Sequence, residues 1–173
     1  MTRKAVVSLV LLALLAGGCL WPGRPAGPTT PAGDPAPDFE LVDLAGKRVR
    51  LSELVRQGPV VLNFWATWCG PCVRELPELE DLHLEFVGQG LIVVGVSLDA
   101  NPAAVRQHLG REPVSFLVLL DSQGEVAERY GVSGIPHNFV IGPDMTIRWS
   151  KVGYSPGLAD LRKAAVAALK EGK

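Results

Sequence analysis

The sequence predicts an α/β domain in which a buried strand hands a reactive dithiol to the start of a helix. Three observations carry that reading. Val60 to Trp65 is apolar enough for a strand buried in a core. Val73 to Phe86 spaces Leu76, Leu79, Leu82 and Phe86 three or four apart, the stripe of one helix face. Between them stands Trp68-Cys69-Gly70-Pro71-Cys72, two thiols separated by two residues.

Taken in order, Phe39 to Asp43 and Lys47 to Leu51 alternate around Leu44-Ala45-Gly46 and predict a β-hairpin. Ser52 is a candidate N-cap for a short helix from Glu53 to Arg56. The strand, dithiol and long helix follow. Leu91 to Ser97 is a second buried strand, and the helix joining the two makes them a parallel pair. Pro102 to Leu109 reads as a helix, Ser115 to Leu120 as a strand and Glu125 to Tyr130 as a short helix. His137 to Ile141 and Thr146 to Val152 are strands joined at Gly142-Pro143-Asp144. Ser155-Pro156 has the cap-and-proline form of a helix start, and that last helix runs to about Leu169.

A cysteine pair where a helix begins meets free backbone N–H groups and the positive end of the helix dipole. Both favour thiolate over thiol, and such sites lower a cysteine pKa from ~8.5 into the range of roughly 3.5–7.5. Pro71 suits an early helical position because the N–H it lacks would have no intrahelical partner. Cys69, at the helix mouth, is the expected nucleophile, and Cys72, one turn inward and covered, the resolving thiol. Half a zinc site and an inert structural bridge are the rival readings. A zinc site needs a second Cys or His pair at ligand spacing, which the sequence lacks, and a two-residue loop is a poor place for a stabilising staple.

The third cysteine belongs to a different segment. Arg3 and Lys4 precede Ala5 to Gly18, a run of small and apolar residues that is short for a span of ~20 but suited to an export signal. It ends in Leu15-Ala16-Gly17-Gly18-Cys19, which resembles a bacterial lipoprotein processing site, although the leucine usual three before the cysteine stands four before it. Residues 1–19 are therefore expected to be a lipoprotein-type signal with Cys19 as the lipidated residue. An ordinary signal peptide or an uncleaved anchor would export the domain equally. Half of residues 20–37 are proline or glycine, so that stretch is expected to be a tether without packed structure. Residues 38–173 form the expected domain. Without Arg3 and Lys4, 15 basic side chains face 18 acidic ones, and no basic cluster supports a nucleic-acid partner.

This order of elements, with a dithiol after the first core strand, resembles a thioredoxin fold carrying an N-terminal β-hairpin and a central helix-strand insert at 102–120. Asn63-Phe64-Trp65-Ala66-Thr67-Trp68-Cys69-Gly70-Pro71-Cys72 and Tyr130-Gly131-Val132-Ser133-Gly134-Ile135-Pro136 carry the likeness. With the exported anchor, it is that of the membrane-tethered thioredoxin-like reductases of the TlpA/ResA type. The resemblance implies a thiol–disulfide oxidoreductase on the outer face of a bacterial membrane, without a cofactor and acting as a monomer. It implies reduction of disulfides in exported proteins, often apocytochrome c during cytochrome c maturation, and recharging by a transmembrane donor of the CcdA/DsbD kind.

The likeness also implies roles for individual residues. Pro136 is implied to be a cis-proline beside the dithiol, leaving the backbone of Ile135 open to a substrate peptide; a trans turn proline is the plainer alternative. Trp68, Gly70 and Pro71 complete the implied substrate contact. Glu75 is implied to face the site, where it could take the proton of Cys72. Thioredoxin has an aspartate where this chain has Asn63, and an asparagine cannot accept that proton. The alternative for Glu75 is a solvated acid in the first turn. Pro77 kinks the helix.

Two further readings compete. His137 stands where the family commonly has threonine, and with Cys69 and Cys72 it could bind a soft metal such as Cu(I), as in a copper chaperone or a reductase of copper-site thiols. The plainer view is an exposed histidine at a strand start. A thiol peroxidase, by analogy with peroxiredoxins, usually has threonine or serine three residues before its cysteine. Here that residue is Ala66.

Overall fold

The computed structural model describes residues 31–171. The export segment, Cys19 and tether residues 20–30 lie outside the described residues. No helix among the described residues is long and apolar enough to cross a membrane.

In chain order the elements are strands β1 (Glu40–Asp43) and β2 (Arg48–Arg50), helix α1 (Leu51–Leu54), strand β3 (Val60–Trp65), helix α2 (Gly70–Phe86) and strand β4 (Ile92–Ser97). Helix α3 (Pro102–Leu109), strand β5 (Leu117–Leu120), helix α4 (Glu125–Arg129), strands β6 (His137–Ile141) and β7 (Ile147–Val152) and helix α5 (Ala159–Glu171) complete the chain. One seven-stranded sheet results, in the order β2-β1-β5-β4-β3-β6-β7. The predicted parallel pair is present: β3 pairs β4 in parallel, and β6 adds to the other side of β3 antiparallel. The inserted strand β5 extends the parallel part and links it to the hairpin.

Both faces of the central strands are covered, which is why their sequences are nearly continuous apolar runs. Because side chains alternate along a strand, Val61 and Trp65 of β3 and Val140 of β6 pack on one face with Leu76, Leu79 and Leu82 of α2 and Leu161 and Ala165 of α5. Leu62, Phe64 and Phe139 enter the other face with Leu51, Val126 and Tyr130. Gly95 of β4 makes room on the α2 face, where a Cβ would lie 3.0 Å from Trp65 Nε1 and 3.1 Å from Phe116.

Three local expectations are corrected. Packed structure begins before Asp38: Ala36 N donates to Met145 O, Ile147 N donates to Asp34 O, and Ala36 is buried. The start of β7 would otherwise present unpaired backbone groups, and a proline-rich segment can still satisfy them through its remaining N–H and C=O groups. Second, α1 begins at Leu51, one residue before the expected cap, so Ser52 lies within the helix and Asp38 Oδ1 accepts its backbone N–H at 3.0 Å. Third, α5 begins at Ala159, since Gly157 (φ 80°) and Leu158 (φ 48°) are left-handed and the Ser155-Pro156 signal opens a turn instead.

Candidate active site

Cys69 is the N-cap of α2, with extended backbone (φ −92°, ψ 101°), and its Sγ accepts the backbone N–H of Cys72 at 3.2 Å. Gly70 opens the helix and Pro71 occupies its first turn, as expected from the missing N–H. Cys69 and Cys72 are joined as a disulfide, S–S 2.02 Å. Cys69 is 7% exposed and Cys72 is fully buried, so the outer sulfur is the accessible one, though less open than the helix-mouth position alone suggests.

Two loops frame the sulfurs. The Ile135–Pro136 peptide is cis, and Ile135 O lies 3.7 Å from Cys69 Sγ. Trp68, at 70% exposure, stands on the rim beside the dithiol, while Trp65 is buried in the core. The loop carrying Trp68 is tied down from below: buried Asp99 accepts Thr67 N at 2.9 Å and Thr67 Oγ1 at 2.6 Å, and Ser97 Oγ at 2.9 Å.

Glu75 is 1% exposed, not a solvated acid. Burial pushes its carboxyl up to about 7, against two amide hydrogen bonds that favour ionisation. Asn63 Nδ2 donates to Glu75 Oε2 at 3.0 Å, and Asn138 Nδ2 donates to Glu75 Oε1 at 2.9 Å. The second proton of Asn63 Nδ2 goes to Asn138 Oδ1 at 2.9 Å, closing a triangle. Asn63 therefore stands as a donor to Glu75.

His137 departs from both sequence expectations. It is wholly buried, stacked on Phe139 with ring centroids 4.2 Å apart, and neither ring nitrogen has a hydrogen-bond partner. Burial pushes its imidazole down to about 4. It sits one residue before Asn138 on β6, so alternation sends it to the face opposite Glu75 and Cys72. Cys69, Cys72 and His137 are thus not brought together as a ligand set. Among the described residues no three His, Cys, Asp or Glu side chains are grouped to hold a metal.

Asp99 and Asn138 went unpredicted. A polar residue inside a buried strand was the available signal for Asn138, since its amide must be satisfied there. The aspartate after Val96-Ser97-Leu98 is the same signal at a strand end.

The AhpC/TSA family profile matches residues 32–150, most of the chain. The chain belongs to the AhpC/TSA family. Within that thioredoxin-like family it is similar to thiol-disulfide oxidoreductase ResA of Bacillus subtilis, 40% identical over 112 residues, covering 65% of this chain and 62% of the relative. ResA of Geobacillus thermodenitrificans is 35% identical over 142 residues, covering 82% of this chain and 80% of the relative. Among solved structures, a protein named as thiol:disulfide interchange protein DsbE from Chlorobium tepidum superposes with TM-score 0.74 at 36% identity, covering 80% of this chain and 97% of that one. The chain spans about three fifths of the length of the first two ResA relatives it matches, 62% and 60%. The thioredoxin-like fold read from the sequence agrees with these neighbours.

Proposed function

We propose that this chain is a thiol–disulfide oxidoreductase that reduces disulfides in exported proteins, apocytochrome c during cytochrome c maturation among them. The observation that carries the reading is the Cys69–Cys72 disulfide at the N-terminus of α2, facing Ile135 and cis Pro136. A helix start favours the thiolate needed for attack, and the adjacent loops give a peptide edge and an exposed indole to hold a substrate. The names of the ResA and DsbE relatives support the same chemistry.

In the reduced enzyme, the Cys69 thiolate attacks one sulfur of the substrate disulfide. A Cys69–substrate S–S bond forms, the substrate S–S bond breaks, and one substrate thiolate departs. Cys72 then gives its proton to Glu75 and attacks Cys69 Sγ, releasing the second substrate thiolate. The enzyme ends oxidised by two electrons, the substrate reduced by two, and the released thiolates take up the protons. Trp68, Gly70, Pro71, Ile135 and Pro136 make the substrate contact. A transmembrane dithiol donor of the CcdA/DsbD kind restores the Cys69–Cys72 dithiol, and lipidated Cys19 holds the domain on the extracytoplasmic face of the membrane.

The test is a substrate trap in the native cell. Cys72→Ala, expressed from its own N-terminus, should accumulate mixed disulfides between Cys69 and exported cysteine proteins. Recovery of cytoplasmic partners alone, or of none, would contradict the proposal.

A further inference from the structure

The triangle below the dithiol sets the amide of Asn138 against the carboxyl of Glu75. Asn63 and Asn138 are direct cross-strand partners in the β3–β6 ladder, so their side chains rise from the same face towards α2. Glu75 comes down from α2 to meet them, and each of its oxygens receives one amide N–H. The two amides orient each other, with Asn63 Oδ1 left buried and without a partner. Asn63 Nδ2 spends both protons, on Glu75 and on Asn138, and Asn138 Oδ1 is thereby fixed towards Asn63 and its Nδ2 towards Glu75. Such an array suits a carboxylate, which accepts at both oxygens. It suits the acid less, because a protonated oxygen brings a hydrogen towards an N–H.

We propose that Asn138 is a positioning residue that fixes the Glu75 carboxylate below the dithiol and favours its ionised form against the effect of burial. Asn63 supplies the same service to the other oxygen, but it also orients Asn138, so the two amides act as one clamp. Other charged or titratable groups face this carboxyl. Glu78 on the same helix opposes its ionisation. Tyr154 bears on it from the segment after β7 and donates its hydroxyl to Glu78 at 2.7 Å. A narrow cleft of about 10 Å³ beside Asn138 is lined by Glu75, Lys151, Leu158 and Asp160, with Lys151 and Asp160 paired at 2.9 Å. Of all these, only the amides touch the carboxylate oxygens within hydrogen-bond reach. The catalytic use of the clamp rests on Glu75 being the proton acceptor proposed above; the positioning itself does not.

The experiment compares full-length wild type, Asn138→Ala and Asn138→Ser in detergent, with Glu75→Gln as the blank. Two quantities are read against pH: ionisation of Glu75, from the carboxyl stretch in difference infrared spectra, and the rate at which Cys72 resolves a peptide mixed disulfide at Cys69. Losing a hydrogen bond to a charged group should raise the Glu75 midpoint by about one to two pH units. The acid limb of the resolution rate should move up with it, while attack by Cys69 keeps its profile. If the infrared midpoint moves and the resolution limb does not, the clamp stands and Glu75 is not the acceptor. If the midpoint stays put in whichever variant folds, or rates drop at all pH values without a shift, Asn138 is a packing residue and the proposal is overturned.

Discussion

Asp99 holds Thr67 at both ends of that residue, accepting its backbone N–H at 2.9 Å and its hydroxyl at 2.6 Å. The carboxylate comes from the loop after β4, so the strand beside β3 fixes the turn that delivers Trp68 and Cys69. With Ser97 Oγ as a third donor, Asp99 is satisfied without a cation. Asp99→Ala removes the acceptor for three donors, two of them in that turn. Hydrogen bonds to charged groups contribute about 1.5–3 kcal/mol each, and the losses overlap, so a destabilisation of roughly 2–4 kcal/mol is expected. Chemical denaturation measures it, and the alkylation rate of Cys69 should fall as its turn loosens. A variant as stable as wild type would show that Asp99 carries no such burden.

Burial sets the order of reaction of the two thiols. With Cys69 partly open and Cys72 closed, iodoacetamide should modify Cys69 first in the reduced protein, and peptide mapping would show it. Earlier modification of Cys72 would reverse their roles.

Glu75 and His137 should impose opposite pH dependences on stability. The folded Glu75 carboxyl, raised from 4.5 to about 7, binds its proton more tightly than the unfolded one. Stability from this group is therefore greatest below the unfolded value and declines as pH rises through about 4.5 to 7, by roughly 3 kcal/mol in all. His137 runs the other way. Its folded value of about 4 lies below the usual 6.5, so the unfolded chain takes the proton first. Stability from neutral His137 is full above about 6.5 and is lost as pH falls towards 4, again by roughly 3 kcal/mol. Between about pH 4.5 and 6.5 the two slopes oppose each other in wild type.

Single variants should separate them. In denaturant titrations, Glu75→Gln should expose the acid loss due to His137, and His137→Phe the decline towards neutral pH due to Glu75. Parallel curves for wild type and both variants would contradict both assignments.

Much of this arrangement is legible in the sequence, for physical reasons that differ by element. β3 is readable to the residue because a strand covered on both faces needs a nearly continuous apolar run, and the cysteine pair is readable because few other chemistries use that spacing after a strand. The start of α5 is not, since the left-handed turn at Gly157 and Leu158 displaces a local cap signal that looks complete. The pairing of residues 33–36 with β7 is hidden because proline-rich composition reports the absence of a local preference and says nothing of a distant edge that needs partners. The amide clamp is hidden for a related reason. Asn138 lies 75 residues from Asn63, and only strand register brings them face to face. His137 misleads because polarity suggests exposure, whereas register turns it into an aromatic core.

The central claim is that Cys69 attacks and Cys72 resolves. Its most direct test is mass spectrometry of reduced Cys72→Ala and reduced Cys69→Ala after each meets an unstructured peptide disulfide. Cys72→Ala should trap the peptide on Cys69 rapidly and hold it, while Cys69→Ala stays largely unreacted and wild type returns the reduced peptide with its own disulfide closed. Rapid trapping on Cys72 in Cys69→Ala, with no adduct on Cys69 in the other variant, would contradict the account.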